Sequence, residues 1–295
     1  MSNSTPLLTV IIPCYNEKDA VADTVHSVLS ILNETVDSEL IVVDDGSDDG
    51  SQNILQGLAK QLPRLKVIFH EENRGYGASL KTGIRRAQGE LIAITDADGT
   101  YPNDRIPDLV AKMVDADMVV GSRTGDQVEY SAIRKIPKFF LRWYCQWITG
   151  RKIPDMNSGL RIFRKEIAER FLHVFPNSFS FTTTITMAML CNDYMVRFEP
   201  INYSERIGNS KIKPIRDTLR FIQLILRTGM YFAPLRAFAP VIGLLTLIFF
   251  ASAAYDIITE QNLTDKTLIF LMIATNAVLF SLIADVIDKR AARGF

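Results

Sequence analysis

The chain reads Leu91-Ile92-Ala93-Ile94-Thr95-Asp96-Ala97-Asp98 at the point that decides its fold. An unbroken apolar run is typical of a strand buried on both faces, and the two carboxylates mark where that strand meets solvent. Carboxylates this close repel each other unless a cation lies between them. Mg²⁺ and Mn²⁺ prefer oxygen ligands and commonly join one or two carboxylates to a substrate phosphate. The stretch therefore predicts that Asp96 and Asp98 bind Mg²⁺ or Mn²⁺. The alternative is a solvated turn in which an Asp caps a helix.

The N-terminal half of the chain alternates between strand and helix patterns. Apolar runs predict strands at 8–12, 40–43, 65–69, 91–95 and 117–121, and apolar residues at helical spacing predict helices at 20–32, 51–62 and 79–87. Continuous apolar strands separated by helices indicate an α/β fold, a Rossmann-like and mainly parallel sheet with helices on both faces. Ligands bind such sheets outside the carboxyl ends of the strands. Polar clusters follow those ends, Tyr15-Asn16-Glu17 after the first strand and Asp44-Asp45-Gly46-Ser47 after the second.

Composition narrows the class of protein. The 295 residues include 33 basic and 33 acidic side chains, and a net charge of zero argues against a nucleic-acid binder. The three cysteines are far apart and form no CxxC pair, so neither a zinc site nor a disulfide framework is expected. The three histidines, His26, His70 and His173, are isolated in the sequence, and we assign them no chemistry.

The last 60 or so residues have the composition of a membrane anchor. The stretches 235–255 and 267–287 are apolar on every face and long enough to span a bilayer, although buried core helices are an alternative. Basic residues flank both stretches, and the linker between them holds three acids and one Lys. The positive-inside rule therefore predicts an integral membrane protein whose catalytic domain and both termini are cytoplasmic. The stretch 218–232 predicts a basic amphipathic helix that suits the membrane interface, although an ordinary surface helix packed on the domain is an alternative.

These patterns divide the chain into four parts. We expect a cytoplasmic domain at 1–210, a basic juxtamembrane segment at 211–234, a two-helix transmembrane hairpin at 235–288 and a cytoplasmic tail at 289–295. A homo-oligomer is compatible with the sequence, which does not encode the oligomeric state.

Seven short motifs, in order along the chain, resemble those of the family 2 glycosyltransferases with a GT-A fold. More narrowly, they resemble the polyprenyl-phosphate glycosyltransferases, the group of the dolichyl-phosphate mannose synthases. The motifs are Pro13-Cys14-Tyr15-Asn16-Glu17, Asp44-Asp45-Gly46-Ser47, Asn73-Arg74-Gly75, Asp96-Ala97-Asp98, Gly121-Ser122-Arg123, Asn157-Ser158-Gly159-Leu160-Arg161 and Arg206-Ile207-Gly208-Asn209-Ser210-Lys211. Together they cover about residues 7 to 235.

The resemblance implies a nucleotide-sugar donor, linked to UDP or GDP, and a role for each matched residue. The residues implied to bind the donor are Pro13, Tyr15, Glu17, Asp44, Asp45, Asp96, Arg206, Ser210 and Lys211. Asp98 is implied to be the main ligand of the metal, with Asp96 beside it, and the cation bridges to the donor diphosphate. In mannose synthases Leu-Gln often follows the metal motif, and the Gln helps to hold the metal. Gly99-Thr100 stand there in this chain, so the third ligand and the sugar stay open.

The implied acceptor is a polyprenyl phosphate, undecaprenyl or dolichyl, whose tail stays in the membrane. Cations must hold its phosphate, and the implied acceptor-binding residues are Arg123, Arg134, Ser158 and Arg161. Some relatives carry a carboxylate at the position of Gly159 that is proposed as the base. Asp155, close by in sequence, is our substitute for it. The expected chemistry is one in-line displacement at the anomeric carbon, with inversion.

Two other functions compete with this interpretation. A processive polysaccharide synthase shares the N-terminal motifs but should carry Q-x-x-R-W before its spans, and Phe139 occupies the Gln position before Arg142-Trp143. A catalytically inactive membrane scaffold should have lost a metal-binding carboxylate, and both are present. A transfer assay with labelled nucleotide-sugars separates the three functions.

Overall fold

The computed structural model describes residues 7–35, 37–124, 135–204, 223 and 226–292. The chain divides into two compact units, Met1–Lys138 with Lys152–Asp217, and Phe139–Arg151 with Thr218–Phe295. Arg134, Arg206, Ser210, Lys211 and the predicted boundary at residue 210 lie outside the described residues.

A mainly parallel sheet forms the first unit. Its strands are β1 (Leu8–Cys14), β2 (Ser38–Asp44), β3 (Leu65–Phe69), β4 (Leu91–Ile94), β5 (Met118–Ser122), β6 (Arg161–Arg164) and β7 (Val196–Pro200), in the order β3-β2-β1-β4-β6-β5-β7. All five predicted strands are present. The sequence did not predict β6 and β7; β6 runs antiparallel to both β4 and β5, whereas β7 is parallel to β5.

Helices cover the sheet, as the α/β pattern predicts. They are α1 (Val21–Thr35), α2 (Ser51–Gln61), α3 (Tyr76–Arg86), α4 (Ile106–Ala111), α6 (Lys165–Phe171) and α7 (Phe181–Cys191), whereas α5 (Lys135–Thr149) lies mainly in the second unit. Every residue of β1 and β2 is buried. Val10, Ile12 and Val42 belong to one apolar cluster with Val25 of α1 and Leu55 of α2. Burial of both strands is what makes their sequences continuously apolar.

Helix α3 begins three residues before its predicted start, at Tyr76. Gly75 precedes it with φ at 100°, a conformation that favours glycine. A Cβ atom at Gly75 would lie 2.3 Å from the carbonyl oxygen of Asn177. The loop 176–180 therefore packs directly against the beginning of α3, and only glycine allows that approach.

The second unit contains two long helices, Pro234–Thr259 and Asp265–Ala292, which enclose both predicted membrane spans. Both are long and apolar enough to cross a membrane. Large apolar side chains point outward, with Phe250 62% and Ile258 81% exposed, so these are not the buried helices of a soluble core. Asp256 ties their connection by accepting hydrogen bonds from the Thr264 backbone N–H at 2.9 Å and the Thr267 hydroxyl at 2.7 Å.

The end of α5 is joined to the start of the first long helix within this second unit. Arg236 donates from Nη1 to the carbonyl of Ile148 at 2.8 Å, and Trp147 donates from Nε1 to the carbonyl of Arg236 at 3.1 Å. A cation near the last carbonyls of a helix satisfies groups that the helix leaves unpaired. Arg236 therefore stabilises the C-terminus of α5.

Candidate active site

A cleft of about 320 Å³ opens at the carboxyl ends of the parallel strands. Its walls include six of the predicted site residues, Pro13, Tyr15, Glu17, Asp45, Asp96 and Asp98. They meet because β1, β2 and β4 are neighbours that run in the same direction, so the loops after them lie at one edge of the sheet.

The cleft also contains residues to which the sequence analysis gave no role. They are Cys14, Asn73, Gly75, Tyr76, Ser79, Ala97, Ser178 and Phe179. Of these residues, Asn73 and Gly75 belong to the motif Asn73-Arg74-Gly75, whereas no sequence pattern pointed to Phe179. Tyr76 and Phe179 stack with ring centroids 5.3 Å apart. Burial, followed by the charge of Asp44, raises the pKa of the Cys14 thiol to about 12, so this cysteine stays protonated and is a poor nucleophile.

Asp96 is held by a tyrosine and packed against a glycine. The Tyr76 hydroxyl donates to Asp96 Oδ1 at 3.0 Å. Burial, followed by the nearby Asp96 carboxylate, raises the pKa of Tyr76 well above its usual range, which keeps the donated proton on the tyrosine. A Cβ atom at Gly159 would lie 2.9 Å from both carboxylate oxygens of Asp96. Because Gly159 has no side chain, the Asp96 carboxylate can occupy this space.

Asp98 is buried and oriented by the residue that follows the metal motif. Thr100 donates to Asp98 Oδ1 from its hydroxyl at 2.7 Å and from its backbone N–H at 3.2 Å. The sequence left open whether Gly99-Thr100 supplies a further metal ligand. The contacts give Thr100 the task of fixing the Asp98 carboxylate.

The two carboxylates fit a hard divalent cation. The described part of the chain contains no group of three or more His, Cys, Asp or Glu side chains that could hold a metal. Asp96 and Asp98 line one cleft and offer oxygen ligands. Mg²⁺ and Mn²⁺ are commonly held by one or two carboxylates together with substrate phosphates and water, so this donor set suits them.

Asp45 and Asp44 are adjacent in sequence but have different surroundings. Asp45 lines the cleft, and its Oδ2 accepts a hydrogen bond from the Gly75 N–H at 2.7 Å. Asp44 is fully buried and is not part of the cleft wall. It accepts hydrogen bonds from the Ser47 N–H at 3.1 Å and from Gln52 Nε2 at 3.0 Å. Of the two predicted nucleoside contacts, the structure brings Asp45 to the site and gives Asp44 a structural role in the turn.

Asp155 forms an ion pair with Arg123. Arg123 donates to both carboxylate oxygens, from Nε at 2.8 Å and from Nη2 at 3.0 Å. Burial alone would raise the pKa of Asp155, but the hydrogen bonds and charge of Arg123 outweigh it and hold the pKa below its usual range. A carboxylate with a lowered pKa is a weak base. These contacts oppose the predicted role of Asp155 as general base and make it the residue that positions Arg123.

Arg161 and Ser158, both predicted to bind the acceptor phosphate, are fully buried. The Arg161 guanidinium donates to the carbonyl oxygens of Ser158 at 3.1 Å and Thr182 at 2.9 Å, and to the Thr186 hydroxyl at 3.1 Å. Burial lowers the pKa of Arg161 to about 10, so it remains charged at neutral pH. Its donors bind the protein itself, and this arrangement does not support phosphate binding by either residue.

Comparison with known proteins identifies the family. The sequence matches the glycosyl transferase family 2 over residues 9–172, more than half of the chain. An undecaprenyl-phosphate 4-deoxy-4-formamido-L-arabinose transferase of Pseudomonas fluorescens is 30% identical over 89% of this chain and 74% of its own length. A low-salt glycan biosynthesis hexosyltransferase of Haloferax volcanii is 25% identical over 84% of this chain and 60% of its own length.

Solved structures share the fold at lower sequence identity. Glucosyl-3-phosphoglycerate synthase from Mycobacterium tuberculosis, solved with uridine diphosphate, superposes with a TM-score of 0.59 at 15% identity, over 76% of this chain and 80% of its own. Residues 1–349 of TarS from S. aureus, solved with UDP-GlcNAc, give a TM-score of 0.53 at 20% identity, over 77% of this chain and 67% of its own. The family match includes every cleft residue from Pro13 to Asp98, and the chain therefore belongs to glycosyl transferase family 2 and is a glycosyltransferase with a GT-A fold.

Proposed function

We propose that this protein transfers a sugar from a nucleotide-sugar to a polyprenyl phosphate at a membrane surface. The observation that carries the proposal is the combination, in one chain, of a two-carboxylate cleft and two exposed apolar helices. The first would hold a nucleoside diphosphate, and the second would keep the enzyme where a lipid acceptor is found. The relatives whose names state an undecaprenyl-phosphate acceptor support the same substrate class.

The donor half of the mechanism follows from the cleft. Pro13, Tyr15, Glu17 and Asp45 would surround the nucleoside, and Asp96 and Asp98 would hold Mg²⁺ or Mn²⁺ against the diphosphate. A bound cation would neutralise the charge that develops on the leaving nucleoside diphosphate. Tyr76 and Thr100 orient the two carboxylates, so that little reorganisation is needed when the donor binds. Arg206, Ser210 and Lys211 remain predicted diphosphate contacts.

The acceptor half of the mechanism needs a cation more than a base. A phosphate monoester has a second pKa of about 6 and is largely ionised at neutral pH, so it is already a nucleophile. Its oxygen would attack the anomeric carbon while the bond from that carbon to the diphosphate breaks, with inversion. Arg123, oriented by Asp155, is the candidate to hold the acceptor phosphate, together with Arg134.

The test is a transfer assay with the full-length protein in liposomes. Labelled UDP- and GDP-sugars are offered with undecaprenyl phosphate and either Mg²⁺ or Mn²⁺, and we expect one polyprenyl-phosphate monosaccharide that EDTA prevents. Asp98→Asn should lower the rate at least about 100-fold, whereas the control Asp104→Asn, at an exposed position away from the cleft, should not. A product that lengthens with time would favour a polysaccharide synthase. No product with any donor would favour a scaffold.

We also propose that the protein is an integral membrane protein with its catalytic unit and both termini in the cytoplasm. Arg227, Arg236, Lys289 and Arg290 lie at or beyond the outer ends of the apolar stretches 235–255 and 267–287, and the linker 256–266 between these stretches holds three acids and one Lys. Replacing Asn262 in that connection by Cys tests the orientation. We expect it to react with a membrane-impermeant maleimide added outside intact cells, and labelling only after the cells are broken would reverse the topology.

The fluorescence of the two tryptophans of the chain, Trp143 and Trp147, can report contact with the membrane. They are 53% and 46% exposed, and their rings stack 6.4 Å apart beside the start of the first long helix. Exposed Trp side chains next to an apolar span are typical of the lipid headgroup region. We expect brominated phospholipids to quench their fluorescence more than aqueous iodide does. Quenching by iodide alone would contradict this position.

A further inference from the structure

A chain of three side chains leads from the cleft into the interior of the first unit. His70 Nδ1 lies 2.7 Å from Asp45 Oδ1, and His70 Nε2 lies 3.0 Å from the Thr82 hydroxyl. Asp45 follows β2, His70 follows β3, and Thr82 belongs to α3. The Asp45 and His70 side chains are only 4% and 5% exposed. His70, isolated in the sequence, is therefore a direct neighbour of a cleft carboxylate.

The acceptor sites of Asp45 are almost all occupied. A carboxylate has about four lone-pair sites, two on each oxygen. Oδ1 accepts from His70 and from the Arg74 backbone N–H at 3.0 Å, and Oδ2 accepts from the Gly75 N–H at 2.7 Å. Among the described residues these three groups are the donors to Asp45. One acceptor site is left, and it lies on Oδ2.

The same contacts prevent the carboxylate from turning. Because a carboxylate can only accept, His70 donates through Nδ1, and its Nε2 is hydrogen-bonded to the Thr82 hydroxyl. The Arg74 N–H also holds Oδ1, and the Gly75 N–H holds Oδ2. A fully connected buried network of this kind fixes both the position and the direction of the remaining acceptor site.

We propose that His70, supported by Thr82, is a positioning residue that makes Asp45 selective for a nucleobase with one N–H donor. Uracil presents a single N–H between two carbonyl groups. Guanine presents an N–H and an amino group side by side, and these pair with both oxygens of a carboxylate. Oδ1 has no acceptor site left for the second donor, so the cleft should take uridine diphosphate donors in preference to guanosine diphosphate donors. This inference rests on the proposed function, in which Asp45 faces the base.

Calorimetric binding to the full-length protein in detergent with Mn²⁺ tests the selectivity. The probes are UDP, GDP and 3-methyluridine 5′-diphosphate, which lacks the single N–H donor. We expect UDP to bind at least about tenfold more tightly than either of the other two, as one lost hydrogen bond to a charged group requires. Equal affinity for UDP and GDP would overturn the inference.

Substitutions of His70 test the positioning. His70→Leu removes both hydrogen bonds and should weaken UDP binding about tenfold. It should also reduce the ratio of the affinity for UDP to the affinity for 3-methyluridine 5′-diphosphate. His70→Asn keeps an amide donor where Nδ1 lies and should stay within about threefold of the natural protein. An unchanged affinity and ratio in His70→Leu would show that His70 does not position Asp45.

Thr82 offers a milder pair of variants in case His70→Leu fails to fold. Thr82→Val removes the hydroxyl and should weaken UDP binding about threefold. Thr82→Ser keeps the hydroxyl and should bind UDP as tightly as the natural protein does. Equal binding by these two variants would contradict the role of Thr82. If neither UDP nor GDP binds the natural protein, the proposed function fails as well; if both bind equally and transfer proceeds, only this inference fails.

Discussion

The two halves of the sheet edge use the same residue types in different ways. Around β1, β2 and β4, the carboxylates of Asp45, Asp96 and Asp98 line an open cleft and accept hydrogen bonds from hydroxyl, backbone or imidazole groups. Around β5 and β6, Asp155 is paired with Arg123, and Arg161 is fully buried. In the first half the carboxylates line the cleft, and in the second half the charged groups are paired or buried. A carboxylate that already has an arginine partner gains less from a bound cation than one that is held only by hydrogen-bond donors.

The strongest test of this difference between the two halves is to neutralise one carboxylate in each. Asp98→Asn should lower kcat by at least about 100-fold, because the metal loses its main ligand. Saturating the enzyme with acceptor should not restore the rate. Asp155→Asn should instead raise the KM for polyprenyl phosphate about fivefold through a loosened Arg123, with a smaller change in kcat. Steady-state kinetics at varied acceptor concentration measures both. A loss of kcat in Asp155→Asn as large as that of Asp98→Asn would restore its role as base.

The two arginines of the second half should separate stability from binding. Arg161→Met removes the guanidinium that donates to the Ser158 carbonyl and one of the donors to the Thr182 carbonyl, and should lower the free energy of unfolding by about 3 kcal/mol. Arg123→Met should also destabilise the protein, because it leaves the largely buried Asp155 carboxylate without its partner, but unlike Arg161→Met it should in addition raise the KM for the acceptor. Chemical denaturation and kinetics distinguish the two effects. A stable Arg161→Met variant with a raised acceptor KM would mean that Arg161 binds phosphate after all.

Gly159→Ala tests the contact between the two halves. Gly159 precedes β6, and a Cβ atom there would lie 2.9 Å from both carboxylate oxygens of Asp96. Asp96 would have to move, and we expect kcat to fall about tenfold from the displaced carboxylate. Gly57→Ala is the matched control, because a Cβ at Gly57 would meet nothing within 4 Å. Equal activity of both variants would show that Asp96 tolerates displacement.

The smallest expected effect is on acid stability. The pKa of Asp155 is lowered in the folded protein because Arg123 outweighs the effect of burial. Its contribution to stability is therefore present above the ordinary Asp pKa of about 3.9 and is lost as pH falls through the lower folded value. Asp155→Asn should flatten this acid limb in denaturation measured between neutral and acidic pH. An unchanged limb would mean that the ion pair contributes nothing to folding.

Prediction succeeded best for the parallel strands that carry continuous apolar runs. The apolar runs of β1, β2 and β4 announce buried parallel strands, and the loops after them must meet at one edge, so Tyr15, Asp45, Asp96 and Asp98 could be grouped from the sequence. On the other side of β4 in the sheet lies the antiparallel strand β6, whose four residues begin and end with Arg. No periodic pattern marks such a strand, and the surroundings of Arg161 could not be predicted.

The sequence by itself determined the class of fold, the cleft carboxylates, the two apolar spans and, through its motifs, the glycosyltransferase family. These follow from local apolar patterns and from short motifs, each of which keeps its meaning without knowledge of distant partners. The tertiary structure decided which charged groups face the cleft, which are buried and which are paired. Asp45 and His70 illustrate the reason: Asp45 is bonded to His70 and to Gly75, which lie far from it along the chain, and only the folded chain brings these groups together.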